Sequence, residues 1–175
     1  MKSVIIYSST DGQTKKICEV IKENLINNNE HMLLSIDNTS EFNFDNYDHI
    51  IIGASIRYGK HNPKVLNFVK NNFSLLNNKK NAFFSVNVVA RKLGKDTPET
   101  NPYVKKFLNK TNWKPNKLGV FAGKVDYPNY NFLNKQIIRF IMFVTKGPTD
   151  TTRTYEFTNW DKVKKFAIEI NESFN

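Results

Sequence analysis

A polar turn behind the first apolar run is the part of the sequence best equipped for chemistry. The apolar run covers residues 4–7, and a segment with helical periodicity follows the turn. The turn consists of Ser8, Ser9, Thr10, Asp11, Gly12, Gln13 and Thr14. Hydroxyl groups, small side chains and a glycine allow N–H and O–H groups to converge on one anion at the positive end of a helix. The turn therefore predicts a site for a phosphate monoester, or alternatively an ordinary turn whose side chains only cap the helix.

Two further loops follow later apolar runs. The first loop consists of Gly53, Ala54, Ser55, Ile56, Arg57, Tyr58 and Gly59. The second loop consists of Ser85, Val86, Asn87, Val88, Val89, Ala90 and Arg91. Open α/β sheets bind ligands at the carboxyl ends of their strands, so we expect both loops at the ligand-binding edge. The alternative for Tyr58 and Gly59 is that they only shape a surface turn.

The elements that must position these loops are short apolar runs that alternate with segments of helical period. This alternation predicts repeated βαβ units in one α/β domain over residues 1–175, with a doubly wound parallel sheet covered by helices on both faces. A last strand at residues 155–157 and a final helix are expected. That helix should pack on the sheet through Val163, Phe166, Ala167 and Ile170.

An insertion at residues 124–153 interrupts the alternation, and within it residues 132–146 predict a helix that stops at Gly147 and Pro148. One side of this helix is apolar and consists of Leu133, Ile137, Phe140, Ile141 and Val144. Lys135, Arg139 and Lys146 lie on the other side. Such a basic amphipathic helix can pack on its own domain, lie in a membrane interface or wall an apolar pocket.

Composition bounds the possible partners. Twenty-six Lys and Arg against sixteen Asp and Glu give a net charge of +10, which favours nucleic acid, an anionic membrane surface or an acidic small molecule. No pattern of a known nucleic-acid-binding platform is evident, so we expect no nucleic acid partner. The chain also lacks an apolar run long enough to span a bilayer.

Cysteine and histidine contribute little to the predicted chemistry. Cys18 is the only cysteine, which excludes an internal disulfide and, with no secretory signal pattern at the start, favours the cytoplasm. The three histidines are too dispersed for a metal site, so none is expected. His61 follows the first loop and is interpreted as a surface histidine, with a proton relay near the ligand as the alternative.

The region around the polar turn resembles the flavodoxin signature through Ile5, Ile6, Tyr7, Ser9, Gly12, Thr14, Cys18 and Ile21, with Cys18 where alanine is typical. The resemblance implies a flavodoxin-like five-stranded parallel sheet and an FMN cofactor. Its phosphate would be held by residues 9–14, and residues 54–59 and 85–91 would flank the isoalloxazine. Tyr58 could stack on the ring.

A narrower resemblance covers nearly the whole chain. Residues 52–59, 84–92, 97–101 and 149–160 resemble the menaquinone-dependent protoporphyrinogen oxidases, which are similar to long-chain flavodoxins with an insertion interrupting the fifth strand. This implies FMN-dependent oxidation of protoporphyrinogen IX to protoporphyrin IX in haem biosynthesis. The electron acceptor would be menaquinone or ubiquinone, and the protein would lie on the inner face of the cytoplasmic membrane.

The resemblance identifies no catalytic side chain, because the flavin can itself accept hydride. Substrate propionates could be bound by the basic residues Arg57, Lys60, Arg91, Lys92, Lys124, Arg139 and Arg153. Two alternatives stay open, a flavodoxin-type electron-transfer protein and a flavin-free structural partner.

Overall fold

The computed structural model describes residues 2–26 and 30–174, and at its centre lies a parallel β-sheet. The strands are β1 (Ser3–Ser8), β2 (His31–Ser35), β3 (His49–Arg57), β4 (Lys60–His61), β5 (Lys80–Val86) and β6 (Lys117–Phe121). Five of them form the parallel order β2-β1-β3-β5-β6, and β4 turns back to pair antiparallel with the end of β3. The predicted doubly wound parallel sheet is therefore confirmed.

Helices cover both faces of this sheet. The helices outside the insertion are α1 (Gln13–Asn24), α2 (Pro63–Asn71), α3 (Phe73–Asn78), α4 (Pro102–Thr111) and α6 (Trp160–Phe174). The pair α1 and α6 packs on one face, and α2, α3 and α4 pack on the other. Because both faces are covered, neighbouring residues such as Ile50, Ile51 and Ile52 are all fully buried. The predicted packing face of α6 is confirmed, since its four side chains are buried.

The insertion contains the remaining elements, β7 (Lys124–Asp126) and α5 (Phe132–Val144), and is followed by β8 (Thr154–Glu156). Strand β8 begins one residue earlier than predicted and pairs antiparallel with β7, so the two form a ribbon separate from the main sheet. Helix α5 ends two residues earlier than predicted. Lys146 adopts a left-handed φ of 54°, and the Gly147 N–H donates to the carbonyl of Met142 at 2.7 Å, which closes a Schellman motif.

None of the helices in these described residues combines the length and the apolar character that crossing a membrane requires.

Candidate functional site

The polar turn connects β1 to α1 at the carboxyl edge of the sheet. Helix α1 begins at Gln13, and its N-cap is Gly12, whose φ of 78° is left-handed and favours glycine. No side chain among the described residues caps the helix, so the interpretation of this turn as an ordinary capping turn is wrong. The first N–H groups of α1 therefore stay available to a ligand.

Two hydroxyl groups beside this helix start lack partners. Ser9 Oγ and Thr14 Oγ1 are both buried and make no hydrogen bond to any described residue. Leaving a buried hydroxyl unpaired costs about 1 to 3 kcal/mol, so the pair calls for a ligand that accepts hydrogen bonds. A terminal phosphate fits, because it offers several acceptor oxygens and the helix start favours negative charge.

The cavity at this point joins residues from several loops. The turn residues share it with Ser55 and Ile56 near the end of β3, Val86 at the end of β5, and Gly123 and Lys124 after β6. Gly123 was not predicted as a site residue, although its place just after β6, the fifth parallel strand, was a usable signal. The Gln13 side chain is occupied by Glu156 and Thr158, to which its Nε2 donates at 3.1 and 2.9 Å.

Asp11 ties the polar turn to the first loop and to the insertion. Its carboxylate accepts a hydrogen bond from Arg57 at 2.9 Å and another from the Tyr130 hydroxyl at 3.1 Å. The Arg57 guanidinium lies 5.2 Å from the ring of Tyr58 and 5.1 Å from that of Tyr130. Burial is the largest single influence on Arg57 and acts to lower its pKa, but the Asp11 carboxylate together with Tyr58 and Tyr130 outweighs it, so the pKa is raised. The Tyr58 hydroxyl donates to Asn134 at the start of α5.

The second loop rests on a buried polar network. His61 Nε2 lies 3.0 Å from Ser85 Oγ, and Asn87 Nδ2 donates to the same oxygen at 3.2 Å. Asn101, at the start of α4, donates to Asn87 Oδ1 at 3.2 Å. His61 packs edge-on against the stacked rings of Phe83 and Phe107, and burial lowers its pKa to about 4. The interpretation of His61 as a surface histidine is therefore wrong.

Other predicted ligand-binding residues have different surroundings. The Ala54 side chain is part of the sheet core, and Ala90 and Val88 pack in two smaller apolar clusters. At these positions only backbone groups remain to meet a ligand. Arg91 donates to the carbonyl of Val88 and to both oxygens of Thr145, each at 2.9 Å, so it anchors the second loop to the end of α5.

The basic residues expected near substrate propionates divide into two groups. Four of them already have protein partners: Arg57 with Asp11, Arg91 with Thr145, Lys124 with Asp126 and Arg153 with Asp150. Lys60, Lys92 and Arg139 make no ion pair with any residue that the structure describes. The positive charges of this second group are therefore more readily available to a substrate carboxylate.

Helix α5 exposes its apolar side to solvent. Its buried contact with the domain runs through Met142, which is 1% exposed, with Ile138 packed beside it. The exposed fractions of the outward side chains are 78% for Phe132, 68% for Leu133, 68% for Phe140, 73% for Phe143 and 62% for Val144. The alternative that this helix simply packs its apolar side on its own domain is therefore wrong.

No group of three His, Cys, Asp or Glu side chains gathers in a metal-binding arrangement within residues 2–26 and 30–174. Cys18 is fully buried, and burial raises the pKa of its thiol. The helix start and the two buried hydroxyl groups beside it support anion binding at this site.

Comparison with known proteins identifies the class of protein that this fold and site define. Residues 4–152 match the family model described as a flavodoxin domain. Flavodoxin 2 of Bacillus cereus aligns with a TM-score of 0.58 at 19% identity, over 99% of this chain and 100% of that one. An archaeal flavodoxin aligns with a TM-score of 0.54 at 17% identity, over 98% of this chain and 97% of that one. Together, the domain and the site define a flavin-binding protein of flavodoxin type.

Curated relatives narrow this class. The protoporphyrinogen IX dehydrogenase (quinone) of Leishmania major is 42% identical over 171 residues, which are 97% of this chain and 74% of that protein. The protein of the same description from Escherichia coli K12 is 39% identical over 171 residues, 97% of this chain and 94% of that protein. The chain therefore belongs to the protoporphyrinogen IX dehydrogenase (quinone) family, a family of oxidoreductases.

Proposed function

We propose that this protein oxidises protoporphyrinogen IX to protoporphyrin IX in haem biosynthesis, with FMN as its flavin and menaquinone or ubiquinone as electron acceptor. The curated relatives are described by that substrate and that class of acceptor. The observation that carries the choice of FMN is the pair of unpaired hydroxyls on Ser9 and Thr14 beside the start of α1. FMN ends in one phosphate, and the sequence has no G-x-G-x-x-G turn for the second phosphate of a dinucleotide.

When it is bound, FMN supplies the two-electron redox chemistry. The chain's part is to bind and orient. Ser9 and Thr14 donate hydrogen bonds to the phosphate, and the first N–H groups of α1 complete its ligands. The loops at residues 54–59 and 85–91 offer backbone groups to the polar edge of the ring system, and Tyr58 offers its ring for stacking.

The proposal is tested under anaerobic conditions. The FMN-reconstituted protein is mixed with protoporphyrinogen IX and a menaquinone analogue, and protoporphyrin fluorescence is followed against a control without protein. We expect product to appear only when quinone is present. A flavin that binds and is reducible, but yields no porphyrin, would instead favour a flavodoxin-type electron-transfer protein.

We further propose that the protein acts at the inner face of the cytoplasmic membrane, with α5 lying in the lipid interface. A large exposed apolar surface on a folded protein marks an interaction site. A second exposed apolar side chain, Leu93, is 98% accessible between Lys92 and Lys95. Arg91 links this loop to Thr145 at the end of α5, so both apolar projections are near one another and accompanied by cations. Apolar groups flanked by cations suit an anionic bilayer surface.

Membrane binding is measured by co-sedimentation with phosphatidylglycerol vesicles and, in parallel, with phosphatidylcholine vesicles. We expect binding to the anionic vesicles, weakened about tenfold or more by Phe143→Glu or Leu93→Glu, because each change removes a side chain whose burial contributes roughly 1.5 to 3 kcal/mol. The control is Ile168→Glu on α6, where the side chain is also 51% exposed. Equal binding by all three variants would contradict the proposal.

A further inference from the structure

A second cleft lies between the β3–β4 hairpin, the start of α2 and helix α4. Its volume is about 140 Å³, which suits a single ring rather than a whole tetrapyrrole. Ile56, Leu66 and Phe107 give it mainly apolar walls, and His61 also lines it. Ile56 lines the phosphate cavity as well, so the two sites are neighbours that share this one residue and differ in all their other lining residues.

Three cations surround this apolar cleft. Lys60, Lys106 and Lys110 line it, and none of their ammonium groups makes an ion pair or a hydrogen bond among the residues described. Three unpaired positive charges around an apolar space favour an anion with an apolar body.

The start of helix α4 fixes the direction of the buried polar network behind the cleft. Asn101 Oδ1 accepts from the backbone N–H groups of Tyr103 and Val104, at 3.1 and 3.4 Å. Its Nδ2 is therefore the donor to Asn87 Oδ1, which also accepts from the N–H of Ala90 at 3.1 Å. Because Asn87 Oδ1 accepts both bonds, Asn87 Nδ2 must be the group that faces Ser85.

The same logic assigns the proton on His61. Ser85 Oγ accepts from Asn87 Nδ2, and among the described residues His61 Nε2, at 3.0 Å, is the one acceptor that its own proton has, so we assign the Ser85 hydroxyl as the donor. The neutral imidazole then carries its proton on Nδ1. Nδ1 has no hydrogen-bond partner in the described part of the chain, and it is not sealed from solvent. His61, which lines the cleft beside the three cations, thus carries a donor that no described residue uses.

We propose that this cleft binds a ligand with a single apolar ring and a carboxylate, which the lysines and His61 Nδ1–H hold. Two sources share this chemistry: the propionate-bearing edge of a tetrapyrrole, and a free aryl carboxylate. The site is separate from the phosphate cavity, so it stands or falls independently of the choice of FMN.

The first test uses the FMN-loaded protein and long-range proton–nitrogen NMR of its histidine rings. We expect His61 to be protonated on Nδ1 and bare on Nε2. Added 3-phenylpropionate should shift the Nδ1 resonance saturably, and neutral 3-phenylpropionamide should bind several-fold more weakly. Protonation on Nε2, or equal binding of acid and amide, would overturn the proposal.

The second test uses a matched pair of lysines on α4. Lys106→Gln removes a cation from the cleft and should weaken 3-phenylpropionate binding about threefold, in the range of an exposed ion pair. Lys105→Gln removes an exposed cation from the same helix outside the cleft and should leave the affinity unchanged. Equal effects of the two variants would show that the lysines act only through net charge and would refute the site.

The last arm separates the two sources. Displacement of 3-phenylpropionate by coproporphyrin III assigns the site to a tetrapyrrole edge, and its retention assigns the site to a free aryl carboxylate; both results support a carboxylate site. FMN affinity and quinone-dependent porphyrin formation are measured on the same samples. A cleft that binds no carboxylate in a fully active protein would overturn this proposal alone.

Discussion

Replacing Thr14 by valine should lower the affinity for FMN and, at the same time, stabilise the cofactor-free protein. Valine keeps the branched shape of threonine but replaces the hydroxyl with a methyl group. Thr14 is 1% exposed, and its Oγ1 has no partner among the described residues. The cofactor-free protein therefore loses only a buried, unsatisfied polar group.

The two magnitudes follow from that geometry. Removing an unsatisfied buried hydroxyl should raise the free energy of unfolding by about 1 to 3 kcal/mol. Removing a hydrogen bond to a charged phosphate should cost about 1.5 to 3 kcal/mol of binding free energy, which raises the FMN dissociation constant roughly 10- to 150-fold. Opposite signs for stability and affinity distinguish a ligand-binding hydroxyl from a structural one.

Two measurements on each protein test this expectation: urea unfolding without cofactor, and titration of FMN fluorescence. Thr111→Val is the matched control, because the buried Thr111 hydroxyl donates to the carbonyls of Phe107 and Leu108 at 3.0 and 3.3 Å. That variant should lose stability and keep its FMN affinity. An unchanged FMN dissociation constant in Thr14→Val would refute the placement of the phosphate.

Three further results are expected. The pKa of His61 falls from its ordinary 6.5 to about 4 on folding, so the unfolded chain takes up the proton first. The free energy of unfolding should therefore drop by about 3 kcal/mol as the pH falls from 6.5 to about 4. The urea midpoint of His61→Gln should change less over the same pH range. Gly53→Ala should destabilise by about 1 to 3 kcal/mol in urea, since the new Cβ would lie 2.2 Å from Phe84 Cζ. Tyr130→Phe, which loses the bond to Asp11, should speed tryptic cleavage within α5 several-fold.

The main fold could be predicted from the sequence because its signals are local. Short runs such as residues 50–52 are apolar at every position, and the structure buries each of them on a sheet covered on both faces. The packing face of α6 follows from its period in the same way. The end of α5 was misplaced because it depends on a left-handed Lys146, a residue type that gives no warning of that conformation.

The site was predictable only in part. The rule that loops gather at the carboxyl ends of parallel strands correctly assembled the polar turn, Ser55 and Val86 around one cavity. His61 was misjudged because its burial comes from Phe107 on α4, far away in sequence. The exposure of the apolar side of α5 could not be predicted either, because periodicity defines an apolar stripe on a helix but not whether that stripe faces the domain or the solvent.

The ribbon of β7 and β8 has a consequence for protein engineering. Val125 pairs directly with Tyr155, so the two ends of the excursion between them are adjacent in space. A tight reverse turn could join these ends, and shortening the connection this far would recover about 2 kcal/mol of chain entropy. Helix α5 thus belongs to an excursion that leaves and rejoins the ribbon at one place, and transplanting its sequence between the paired strands of another protein would show which of its properties depend on contacts with this domain.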